Sequence, residues 1–188
     1  MKTILIILSL LVSFSSYAEG RNLPIITLGN PVLRLTGREL TQAEITSPEM
    51  QQLMDDMIVT MKKAGGVGLA APQVNHSLRM FVMEAWPGVP LTVVINPRVE
   101  YIEQGGTKNS SEGCLSIPGR TLTVPRFKKI NLSYFNRKGE YISQEMGGFK
   151  AIISQHEYDH LNGVLIVDLV DQMMGELNWE KYFASPRM

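Results

Sequence analysis

Two hydrophobic stripes at helical spacing frame this chain. Met50, Leu53, Met54, Met57, Ile58 and Met61 recur at i, i+3, i+4, i+7, i+8 and i+11, which predicts a helix with one face in a core. Ser47 and Pro48 suit its N-cap and first position, Lys62 and Lys63 its last turn, and Gly65-Gly66 its end. A second stripe runs Phe149, Ile152, Ile153, His156, His160, bounded by Gly147-Gly148 before it and by Asn162-Gly163 as a left-handed stop. Between the two helices the period drops to two. Met80–Met83, Leu91–Ile95, Val99–Ile102 and Thr121–Val124 are short apolar or β-branched runs set off by Gly, Pro and Asn. Ile130–Tyr134 alternates and leads through Asn136-Arg137-Lys138-Gly139 into Tyr141–Met146, a hairpin pattern. Strands bracketed by helices predict an α+β fold. The tail from Gln172 is weakly patterned, with Leu177, Trp179, Tyr182 and Phe183 spaced for a short terminal helix.

The second stripe ends in imidazoles, and this brings in chemistry. His156-Glu157-Tyr158-Asp159-His160 is H-E-x-x-H, and it uses two of the three histidines in the chain. Residues i and i+4 share one helix face, so both rings can reach one divalent cation. Glu157 then stands beside the metal, placed to take a proton from water there. Two neutral imidazoles in an apolar stripe would be costly to bury without a partner, and one metal satisfies both.

A catalytic site of this kind takes three protein ligands and leaves one position open. Cys114 is the only cysteine, which excludes an intramolecular disulfide. On its own it reads either as a small buried hydrophobe or as the third ligand. It sits in Ser111–Gly119, whose glycines and proline suit a turn leaving a strand, and it is flanked by the polar Glu112 and Ser116. A third segment, Gly65-Gly66-Val67-Gly68-Leu69-Ala70-Ala71-Pro72-Gln73, allows close backbone approach and ends in an amide able to donate to a developing oxyanion. Phosphate binding is disfavoured here: no G-x-x-x-x-G-K-[ST] or G-x-G-x-x-G is present, and the loop follows a helix.

Together these segments resemble the peptide deformylase family. Gly66–Gln73 stands for its G-x-G-L-A-A-x-Q motif, Glu112–Ser116 for E-G-C-L-S, and Gln155–His160 for Q-H-E-x-D-H. All three are intact and in the family's order, and the likeness runs from about Pro24 to Asp168. The resemblance implies antiparallel sheets wrapped around a central H-E-x-x-H helix, and removal of the formyl group from N-formylmethionyl peptides by a metal-activated water. It implies Cys114, His156 and His160 as metal ligands and Glu157 as general base, then acid. Gln73 and the backbone N–H of Leu115 would meet the oxyanion. Gly68 would pair with extended substrate, with Val67, Phe149, Ile152 and Ile153 as candidates for the methionine pocket. One ferrous ion is the expected metal, with zinc or nickel as substitutes; thiolate and imidazole suit all of these. Two other readings compete: a general H-E-x-x-H peptidase, and a non-catalytic peptide-binding relative. Intact Glu157 and Gln73 weigh against the second, and a cysteine ligand weighs against the first.

Length and charge add bounds. The 188 residues, 44% hydrophobic, suit one catalytic domain, here 19–188. With 18 acidic and 18 basic residues there is no basic stripe for nucleic acid, and a monomer is expected. Lys2, the apolar run Ile4–Phe14 and Ser16-Tyr17-Ala18 before Glu19 read as a signal peptide, 1–18. The run is shorter than the roughly 20 residues of a membrane span, so none remains after cleavage. Export to the periplasm or secretion is therefore expected, the alternative being a cytosolic or inner-membrane-anchored protein.

Overall fold

The computed structural model describes residues 20–86 and 89–174. The proposed leader, Glu19 and the pattern Leu177, Trp179, Tyr182, Phe183 lie outside the described residues.

A short helix, α1 (Gln42–Ile45), starts with a reciprocal cap in which Thr41 and Glu44 satisfy each other's backbone N–H. Helix α2 (Pro48–Lys63) begins as its sequence predicts: the Ser47 side chain accepts from Met50 N and Pro48 occupies the first position. Its stripe is the buried face, with Leu53, Met54, Met57 and Met61 inside and Met50 and Ile58 packed at the margin.

Strands β1 (Gly68–Ala70), β2 (Met80–Met83) and β3 (Thr92–Tyr101) follow in antiparallel order. Leu91–Ile95 and Val99–Ile102, which read as two strands, are one: β3 runs through Asn96-Pro97 with an irregular register between Ile95 and Arg98. Asn96 adopts φ 49° at this bulge, and its side chain pairs with the Leu40 backbone in both directions. Ile102 lies beyond the strand's end.

Strands β4 (Thr107–Cys114) and β5 (Ile117–Phe127) form a separate two-stranded ribbon. β4 was not evident in the sequence, and Thr121–Val124 is only the middle of β5. The hairpin of β6 (Lys129–Phe135) and β7 (Tyr141–Gly147) forms where the alternation places it. The five-stranded sheet has the order β1-β2-β3-β6-β7. Helices α3 (Gly148–Leu161) and α4 (Ile166–Met174) are the last elements of the described residues; α4 begins before the segment whose helical pattern is weak.

Alternation along β2 and β3 shows how the layers meet. Met80, Val82, Val93 and Ile95 pack with α2, whereas Phe81, Met83 and Val94 pack with Ala151 and Ile153 of α3. The sheet is thus covered on both faces, which explains why β2 is apolar at every position. α4 and the residue before it close a third cluster, with Leu165, Ile166 and Leu169 against Cys114, Ile117 and Val124 of the ribbon. Every residue from Ala151 to Leu161 is buried. Beyond its open first turn α3 is therefore enclosed on all sides, a stronger burial than a single stripe implies. The architecture is α+β, with antiparallel sheets packed around the H-E-x-x-H helix.

Candidate metal centre and active site

Enclosure of α3 from Ala151 onward obliges each polar side chain there to find a partner. Gln155 clamps β5, its Oε1 accepting from Phe127 N and its Nε2 donating to Phe127 O and Ala151 O. Asp159 accepts from Arg126 Nη1 at 2.6 Å. His156 Nδ1 lies 2.9 Å from Glu112 Oε2, leaving its Nε2 for another task. Two polar atoms of the helix remain buried without a protein partner: Glu157 Oε2 and His160 Nδ1.

Cys114 ends β4 and is followed by the two-residue turn Leu115-Ser116. Its Sγ lies 3.3 Å from His160 Nε2, and the His156 and His160 rings are 5.2 Å apart. One donor atom from each of Cys114, His156 and His160 lies within 4.8 Å of the others, all three side chains being buried. A sulfur and two ring nitrogens converging this closely, beside an unpartnered carboxylate oxygen, fit a small divalent cation.

Electrostatics reinforce that fit. Burial pushes the Glu157 carboxyl up to about 7, with neighbouring charges modifying that shift. Burial opposes charge on Glu112 too, but bonds from Arg126 and His156 outweigh it and hold its carboxyl down at about 2. Burial disfavours protonated His156, yet contacts with Cys114 and Glu112 prevail and raise its pKa to about 10. His160 moves the other way, held low by burial and by His156 and Arg126. Without a cation, the site favours a proton on His156, and ligation would displace it.

The glycine-rich segment supplies the opposite wall. Val67 O accepts from Glu84 N of the chain leaving β2. By the alternation of an antiparallel pair, the backbone groups of Gly68 and Ala70 then face the other way, toward the sheet's edge. Ala70 N confirms this, donating to Gln73 Oε1 at 2.8 Å. That bond turns the Gln73 Nε2 toward the ribbon, 3.2 Å from Ser116 Oγ and 3.7 Å from Cys114 Sγ. A Cβ at Gly68 would collide with the Glu157 carboxylate, so glycine there makes room for Glu157.

A cavity of about 440 Å³ opens over these groups. Val67, Gly68, Gln73, Cys114, Leu115, Phe149, Ile152, Ile153, His156 and Glu157 all line it, and His160 joins them through the cysteine and histidine cluster. Every site residue expected from the sequence is thus brought to one place.

Sequence reading missed the support behind it. Arg126 donates from Nε and Nη2 to the two carboxylate oxygens of Glu112, at 2.9 and 2.8 Å, and from Nη1 to Asp159. The chain Asp159–Arg126–Glu112–His156 ties β4, β5 and α3 together behind the metal ligands. The signal available was Glu112 and Asp159, two charged residues inside motifs otherwise destined for burial.

A model of the polypeptide deformylase family matches residues 22–175. Peptide deformylase 2 of Nostoc sp. is 39% identical, across 85% of this chain and 92% of its own. The crystal structure of Thermotoga maritima peptide deformylase is similar at a TM-score of 0.74 and 41% identity, covering 79% of this chain and 97% of that one. A class I type b peptide deformylase from Acinetobacter baumannii, crystallised with Met-Ala-Ser bound, gives 0.73 and 34%, covering 79% and 98%. The chain belongs to the peptide deformylase family. Its reaction is metal-dependent removal of N-formyl groups from nascent peptides, and neither a general peptidase nor a non-catalytic binding role is favoured.

Proposed function

We propose that the formyl end of an N-formylmethionyl peptide is held between Glu157, Gln73 and the turn after Cys114. The observation that carries this reading is the unpartnered Oε2 of buried Glu157 beside the cysteine and histidine cluster. A divalent cation bound by Cys114, His156 and His160 would polarise the formyl carbonyl and acidify a water molecule. Ferrous iron is the metal we assign, following the family resemblance; zinc and nickel are the substitutes expected from this donor set.

The protein's own groups do the rest. Glu157, buried and with its Oε2 free of any protein partner, takes the proton of the attacking water and returns it to the departing amine. As the formyl oxygen gains charge, Gln73 Nε2 and the N–H of Leu115 donate to it; the bond from Ala70 N fixes the glutamine for that task. Gly68 offers backbone donor and acceptor groups at the sheet edge, where an extended peptide adds as a strand. Val67, Phe149, Ile152 and Ile153 give the methionine side chain apolar walls.

Replacing Glu157 by Gln tests the assignment. Turnover of a formyl-Met tripeptide should fall by about 10²–10⁴-fold, with metal content unchanged and the unformylated twin inert throughout. Wild-type turnover by Glu157→Gln would sink it. The enzyme acts, in our reading, as a monomer outside the cytosol after cleavage behind Ala18, on the strength of the apolar run Ile4–Phe14 and the small residues that follow it. Among the described residues no helix is long and apolar enough to cross a membrane. N-terminal sequencing of the natively expressed protein decides: Glu19 first supports export, and retention of Met1 supports an anchored form.

A further inference from the structure

Phe149, on the first turn of α3, is 42% exposed, and its ring lies against that of Trp86, which is 50% exposed. The ring centroids are 6.2 Å apart and the planes 11° from parallel. Trp86 follows β2, takes no part in the chemistry described above, and is the larger half of an apolar ledge left open to water. This ledge is continuous with the site, because Phe149 and the 39% exposed Val67 both line the catalytic cavity.

Strand geometry says what crosses it. Gln73, Cys114 and Glu157 mark the formyl end, and Gln73 lies beyond the C-terminal end of β1. A peptide laid along the β1 edge from there passes Gly68 and leaves by way of Val67. Trp86 stands on that exit side: β2 pairs Met83 with Gly68, Glu84 N bonds Val67 O, and Trp86 comes two residues later. In an extended chain, side chains i and i+2 point the same way, about 7 Å apart. With the methionine side chain against Phe149, the third residue of the peptide therefore reaches a point one such step onward, comparable to the 6.2 Å between the two rings.

We infer that Trp86, stacked on Phe149, forms a subsite for the third residue of the formylated peptide and selects apolar or aromatic side chains there. The inference rests on the deformylase reading and on the β1 edge as the substrate's track. Substrates in this class are formyl-Met peptides whose third side chain has a face to lay on an indole.

The test is kcat/KM for formyl-Met-Ala-Xaa peptides with Xaa Phe, Leu, Ser or Gly, using wild type, Trp86→Ala and Trp86→Phe of the full chain, each checked for native fold by circular dichroism. Wild type should favour Phe and Leu over Gly by about 3- to 10-fold, the scale of one aromatic contact. Trp86→Ala should bring that ratio close to one, and Trp86→Phe should restore most of it. A flat wild-type preference, or a Trp86→Ala loss equal for all four peptides, overturns the subsite while leaving the deformylase assignment standing. Failure of wild type to hydrolyse any of the four overturns both.

Discussion

Replacing Arg126 by Met is the sharpest test of how the metal site is supported. The Arg126 side chain is 3% exposed and faces the carboxylates of Glu112 and Asp159, themselves 6% and 4% exposed. Three bonds of 2.6 to 2.9 Å join them. Methionine matches much of the arginine's length but leaves two buried carboxylates without their cation. Removing one partner of a buried pair typically costs about 3–5 kcal/mol, most of it the desolvation of the charge left behind. For a chain of this size each kcal/mol moves Tm by about 2–4 °C, so a fall of about 6–20 °C is expected. Chelator-treated protein followed by thermal and urea unfolding at neutral pH provides the measurement. Arg126→Lys should fall between wild type and Arg126→Met, since lysine keeps the charge but cannot grip both carboxylates with a planar fork. Lys129→Ala is the control, because Lys129 and Glu145 are 53% and 55% exposed and such a pair contributes about 0–1 kcal/mol. An Arg126→Met protein as stable as the Lys129→Ala control would refute the idea that this guanidinium anchors β4 and α3.

Two further perturbations address the site's wall and the edge of the fold. Gly68→Ala places a methyl against the Glu157 carboxylate, so activity should drop by about 10²-fold or more through displacement of the base, at an overpacking cost of about 1–3 kcal/mol; undiminished kcat/KM would show that Glu157 tolerates the shift. Burial pushes the Asp56 carboxyl upward, but bonds from Arg21 N, the Arg21 guanidinium and Gln52 outweigh it and hold the pKa below its ordinary value. A depressed folded-state pKa stabilises above the unfolded value, about 3.9, and that contribution fades as pH falls below it. Asp56→Asn should therefore be less stable than wild type at pH 7 and approach it near pH 3 in thermal unfolding; a constant gap across that range would contradict the ion pair's role.

Much of the site was legible along the chain because its ligands sit on a helix at fixed spacing. His156 and His160 share a face by the geometry of any α-helix, and Glu157 follows from its place beside His156. The stripe of α2, its Ser47 cap and the β6–β7 hairpin were equally local matters, set by residues within a turn or two of one another. Cys114 is different. Its sequence neighbourhood left it open between core residue and ligand, and only the ribbon's packing against α3 brings its sulfur to 3.3 Å from His160.

The strand carrying Cys114 was invisible for a physical reason. In β4 the inward positions are Ser110, Glu112 and Cys114, not aliphatics, so no alternation of hydrophobic and polar residues announces it. Glu112 can face inward only because Arg126, fourteen residues on, meets it there and is itself held by Asp159, 33 residues further along. The two parts of β3 read as separate strands because Asn96-Pro97 looks like a break, and the backbone of Leu40, 56 residues away, is what holds Asn96 in its bulge. By itself the sequence determined α2, α3, the hairpin and the metal-binding helix face, all products of periodicity and short-range sterics. Tertiary structure decided which buried charges could be paired and which polar strand could exist, because the free energy of burying a charge depends on a partner that no local pattern specifies.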